Sequence, residues 1–164
     1  MTQSEIFGRL PAPLAHEILS HMLKAQRPSY AVALQTLAAQ RKFRPIFIER
    51  KPPVERHAWM QQQLGRSLNE ELAGNILGLW LTGPQASMLA AFLDALGIAH
   101  DGKGSLETLP PSPPKEALKA AVDSLFAKFP ADHVKAYLHA FQVSDPTAWP
   151  PLGELLAEDP QLAF

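Results

Sequence analysis

Lys115-Glu116-Ala117-Leu118-Lys119-Ala120-Ala121-Val122-Asp123-Ser124-Leu125-Phe126-Ala127-Lys128-Phe129 carries the cleanest periodic pattern in the chain, and Pro130 stops it. Ala117, Leu118, Ala121, Val122, Leu125, Phe126 and Phe129 recur at three- and four-residue spacing, as on a helix that buries one face. Ala, Leu, Lys and Glu, which dominate the stretch, are strong helix formers. Ser112 is placed to cap this helix, with Pro113 at its first position.

The same pattern recurs on both sides. Ala131 to Phe141 reads as a helix with Val134, Tyr137, Leu138 and Phe141 inward. The stretch from Asp145 to Phe164 is rich in Pro and Leu, with room for a short helix at Leu152–Ala157 and a tail packed over its own core. Toward the N-terminus, Pro13–Gln26 carries Leu14, Ile18, Leu19, Met22 and Leu23, and Ser29–Lys42 carries Tyr30, Leu34, Leu37 and Ala38. Pro53–Gly65 is expected to turn Val54, Trp59, Met60 and Leu64 toward the core, with Gly65 as its stop.

Ser67-Leu68-Asn69-Glu70 reads as a capping box that opens a helix to Thr82. Leu68, Leu72, Ile76, Leu79 and Trp80 form its stripe, and Leu77 and Leu81 widen it. Gly74 and Gly78 suit the close approach of another helix. Gly83-Pro84 restarts the chain, and Met88, Leu89, Phe92, Leu93 and Leu96 lead to Gly97. β-Branched residues are few, so strands are not expected. The expected fold is all-α, a multihelical bundle of about seven helices. A polar, turn-rich loop at 99–114 would join an N-terminal region, 1–98, to a smaller C-terminal helical region, 115–164.

Composition narrows the chemistry. With 46% apolar and 19% charged residues, 164 residues suffice for a buried core. There is no cysteine, which excludes disulfides, thiolate metal sites and cysteine nucleophiles. The N-terminus lacks the pattern of a secretory signal and no window holds 18 consecutive apolar residues. The cytoplasm is the expected location, without membrane partners. Net charge is only −1, yet residues 1–66 hold ten Lys/Arg against four Asp/Glu, and residues 67–164 hold five against twelve.

The basic excess peaks in Arg41-Lys42-Phe43-Arg44-Pro45-Ile46-Phe47-Ile48-Glu49-Arg50-Lys51-Pro52-Pro53-Val54-Glu55-Arg56. Cations interleaved with aromatics suit phosphates, anionic lipids or an acidic protein face. The candidate contact residues are Arg41, Lys42, Phe43, Arg44, Phe47, Arg50, Lys51 and Arg56. Arg44–Ile48 reads as extended. The alternative is that Phe43, Ile46, Phe47 and Ile48 anchor in the core while the charges are solvated or paired with the acidic half.

No catalytic signature accompanies the segment. The six histidines contain no pair at i, i+4, the spacing for a zinc site on one helix face. Asp101-Gly102-Lys103-Gly104-Ser105-Leu106-Glu107 is similar to an EF-hand loop, with Gly104 at its turn and Leu106 at its apolar position. Three of the ligand positions, however, hold Ala99, Lys103 and Pro110, and only Asp101 survives, so the stretch reads as a glycine-dependent turn. No metal or cofactor is expected. These features together point to a non-enzymatic helical protein that binds another protein or a second copy of itself. The alternative is a nucleic-acid-associated regulator that places the 41–56 segment on phosphates.

Overall fold

A computed structural model describes all 164 residues. The chain is wholly helical, with ten α-helices, two single-turn 3₁₀ segments and no strand. It divides into two compact units, Met1–Trp80 and Leu81–Phe164. The polar segment 99–114 therefore lies inside the second unit.

The first unit contains α1 (Gln3–Arg9), α2 (Ala12–Ala25), α3 (Arg27–Gln40), α4 (Pro45–Glu49), α5 (Pro53–Leu64), a 3₁₀ turn (Ser67–Asn69) and most of α6 (Glu70–Thr82). Two helices that the sequence pattern does not reveal, α1 and α4, escape periodicity because they are short. α1 spans only seven residues, but its capping box is complete: Thr2 Oγ1 accepts from the Glu5 N–H at 3.2 Å, and the Thr2 N–H donates to Glu5 Oε2 at 2.8 Å.

The Ser67–Glu70 box expected from sequence does not form. Ser67 begins the 3₁₀ turn, and Glu70 instead accepts from the N–H groups of Gln3 and Ser4 at 2.7 and 2.8 Å. A box satisfies local donors, but two remote donors at a helix start offer the carboxylate more. Desolvation pushes the Glu70 carboxyl up, but these hydrogen bonds outweigh it and hold it below its ordinary value.

Ile6, Phe7, Ile18, Leu19, Leu34, Leu37, Met60, Leu64 and Ile76 are buried. Val54 and Leu68, both expected inside, are exposed, because each sits at the first turn of its segment where the stripe has not yet met the core. Gly65 ends α5 as expected, with φ −68° and not in the left-handed region. A Cβ there would lie 3.0 Å from the Cα of Gly8, so the pair lets the backbones of α1 and α5 touch. Gly74 similarly admits the Gln3 side chain, 3.3 Å from where its Cβ would be.

The second unit contains α7 (Ala86–Ala95), α8 (Lys115–Lys128), α9 (Ala131–Ser144), α10 (Pro150–Glu158) and a 3₁₀ turn (Pro160–Leu162). α8 starts later than the Ser112 cap implies. Its first residue is Lys115, and the Ser112 hydroxyl donates to the Pro113 carbonyl at 3.1 Å. Consecutive prolines at 113 and 114 hold the backbone extended there.

The centre of this unit is aromatic. Phe92 meets Tyr137 edge-on at 5.5 Å between centroids, and Phe141 lies 4.9 Å from Trp149, whose indole N–H donates to the Pro110 carbonyl at 3.0 Å. Burial raises the Tyr137 phenol well above its usual range. The C-terminal tail belongs to the same core. Leu162 is buried, and His139 donates from Nε2 to its carbonyl at 2.7 Å.

The Asp101 carboxylate is spent on its own turn. Its Oδ1 accepts from the N–H groups of Lys103 and Ser105 at 2.7 and 3.0 Å. Gly104 has φ +82°, and a Cβ there would collide with Leu89 and with the backbone N of Ala90. Only glycine lets this turn lie against α7. No single helix of the chain is long and apolar enough to cross a membrane.

Candidate interaction surface

The basic segment begins at the end of α3, where the chain makes a Schellman turn. The Phe43 N–H reaches the Ala38 carbonyl at 2.9 Å, and the Lys42 N–H reaches Ala39 at 3.0 Å. The residue that must turn left-handed is Lys42, at φ +57°, where glycine is usual. A non-glycine residue there costs about 1–2 kcal/mol. The turn throws Phe43 outward, 46% exposed, with its ring 6.3 Å from that of half-buried Trp59.

Arg44–Ile48 is not extended. Pro45–Glu49 forms the five-residue helix α4, with Pro45 at its first turn, where a missing N–H costs nothing. One side chain anchors it: Ile48 is buried. Ile46 and Phe47 turn away, and Phe47 is 58% exposed. The core reading of the segment therefore holds for Ile48 and fails for Phe43, Ile46 and Phe47. Val54, at the start of α5, adds a fourth exposed apolar side chain, 65% exposed.

Arg41, Lys42, Arg44, Arg50 and Lys51 are all exposed. None of them forms an ion pair or a side-chain hydrogen bond within the chain. Arg56 behaves differently. It is half-buried, its guanidinium lies 5.9 Å from the Tyr30 ring centre, and its Nη1 donates to the Glu49 carbonyl at 3.1 Å. It belongs to the floor beneath the segment and ties α5 to the end of α4.

Beneath Arg56 lies a cluster that sequence reasoning missed. The Tyr30 hydroxyl and His57 Nε2 are 2.8 Å apart, and His57 Nδ1 lies 2.8 Å from His16 Nδ1. One Nδ1 must donate and the other accept, so this contact cannot survive with both rings protonated. His57 is buried, and burial first, then the charges of His16 and Arg56, lower its pKa to about 4. Forty-one residues separate His16 from His57, and no local pattern links them.

In the second unit, the Gly102 N–H donates to His100 Nδ1 at 2.9 Å, which fixes the proton on Nε2, and that N–H donates to Asp94 at 2.7 Å. Both ring nitrogens are thereby occupied in holding the loop. No three His, Asp or Glu side chains gather as a metal site. Comparison with family models, curated proteins and solved structures finds no match to this chain.

Proposed function

We propose that this chain is a non-enzymatic binding protein that docks another protein, or a second copy of itself, through the segment from Arg41 to Lys51 and the adjoining Val54. The observation that carries this reading is the combination on one loop–helix–loop of exposed Phe43, Ile46 and Phe47 with five exposed cations that have no partner within the chain. Exposed large apolar groups rimmed by charge are typical of contact sites. The left-handed Lys42 adds support, since backbone strain of this kind persists where the surroundings enforce it and clusters at functional segments. Binding is favoured over catalysis by how the histidines are used: His57 and His100 have both ring nitrogens engaged in internal hydrogen bonds.

The test is a photo-crosslinking amino acid placed at Phe47 in the cell of origin. A crosslink to protein, including a second copy of the chain, supports the reading. A crosslink to nucleic acid favours the phosphate-binding alternative, whose affinity would fall steeply with salt. Absence of any crosslink at Phe47, with crosslinks forming from a control position elsewhere, contradicts both.

A further inference from the structure

A small cavity of about 220 Å³ opens beside the basic segment, between α2, α3, the end of α4 and the start of α5. Leu23 and Leu34 line it with apolar surface, and Arg27, Tyr30, Glu49 and Arg56 supply its polar groups. Two features of the arginines are unusual. The Arg56 Nε is shut off from solvent and has no acceptor, although the group is charged. Arg27 contributes a second guanidinium to the same cavity and forms no ion pair. The one carboxylate on the lining, Glu49, is exposed and pairs with neither arginine.

A partly buried guanidinium that lacks a full set of acceptors is costly. Such a group in Arg56, with the exposed guanidinium of Arg27 on the same cavity and apolar walls that weaken solvent screening, favours an incoming anion. Guanidinium presents its donors as a planar fork that matches the paired oxygens of carboxylate and phosphate.

We propose that this cavity is a binding site for a small oxyanion, a carboxylate or phosphate group, held by Arg27 and Arg56 with the Tyr30 ring beneath Arg56. Arg56 gives the site its fixed geometry, because its contacts with the Glu49 carbonyl and the Tyr30 ring hold its plane. Arg27, being exposed, closes on the ligand from the rim. The exposed Glu49 carboxylate opposes binding and limits affinity. The five exposed cations of the partner surface do not line the cavity, and Glu49 is the one residue of that segment that does.

The experiment is a titration of the intact chain with sodium phosphate and with sodium acetate, against sodium chloride at matched ionic strength, followed by melting temperature and calorimetry. A saturable rise with phosphate or with acetate, absent with chloride, is expected, because a ligand specific to the folded state stabilises it. Whichever salt responds identifies the headgroup. Arg27→Gln, a change at an exposed position that leaves the fold intact, should weaken binding about tenfold or more. Arg56→Lys, which keeps the charge and loses the fork, should weaken it likewise. Glu49→Gln should tighten it by roughly two- to fivefold. Equal responses to all three salts would overturn the proposal, as would Arg27→Gln and Arg56→Lys variants that bind like the wild type.

Discussion

The two units end a helix in the same way with different residues. At the end of α7 the left-handed position of the Schellman turn is Gly97, at φ +69°, and the Ile98 N–H reaches the Leu93 carbonyl at 2.9 Å. At the end of α3 the same position is Lys42. The aromatic core of the second unit and the basic segment of the first differ similarly. Phe92, Tyr137 and Trp149 are buried in the second unit, while Phe43 and Phe47 of the first stand in solvent. Lys115 pairs with Glu154 and Glu158 at 3.4 and 2.6 Å, and Lys119 and Lys135 also have acidic neighbours within 4 Å. The cations at 41, 42, 44, 50 and 51 have none. The second unit spends these aromatics and lysines on its own fold, whereas the 41–51 segment of the first leaves its own in solvent.

The sharpest contrast lies between two phenylalanines. Phe92→Ala should cost about 3–5 kcal/mol, as for a fully buried aromatic in a packed core. Phe47→Ala should change stability by no more than about 0.5 kcal/mol. Denaturant unfolding of both variants measures the difference, and a large loss from Phe47→Ala would show that its exposure is wrong.

Acid should act next, through His57. Its folded pKa of about 4 lies below the unfolded value, so the folded state binds fewer protons between them. The stability from keeping His57 neutral is therefore present above about pH 6.5 and is lost as pH falls toward about 4. Allowing for solvent screening, the loss should be of order 2 kcal/mol. His57→Gln should flatten this slope, and a slope unchanged in the variant would assign it to other groups.

The two caps should respond with opposite signs. Gly97→Ala should destabilise by about 1 kcal/mol, because a side chain enters the left-handed region. Lys42→Gly should stabilise by up to about 1 kcal/mol, while removing one cation from the contact surface. A stabilised variant with weakened partner binding would be the signature of strain kept for function. The smallest effect concerns the paired lysines: Lys115→Ala should lower the melting temperature slightly, and less so as salt is added, whereas Arg50→Ala should not.

Much of the fold was legible because Pro and Gly fall where the apolar stripes begin and end. Seven of the helices follow from that agreement, as does the burial of the C-terminal tail. The short helices were harder. α1 announces itself only by Thr2 and Glu5, and α4 has one buried side chain, Ile48, which gives no period to detect. Glu70 was misread because a capping box is a local pattern, while its actual donors lie 66 and 67 residues away. The site was legible as composition and not as geometry. Exposure of Phe43 follows a left-handed lysine that no propensity favours, and that of Phe47 a five-residue helix with no period to detect. The His16–His57–Tyr30 cluster and the Arg27–Arg56 cavity join residues from separate helices, which no spacing rule connects.

The central claim is that the 41–51 surface is held exposed for a partner. Its most direct test is to compare wild type, Phe47→Ala and a variant with Arg41, Arg44, Arg50 and Lys51 reversed to Glu. Melting curves would be recorded beside the affinity for the partner captured by crosslinking at Phe47. Both variants should melt as the wild type does, within about 0.5 kcal/mol, and lose the partner. Variants that unfold, or that keep the partner at wild-type affinity, would contradict it.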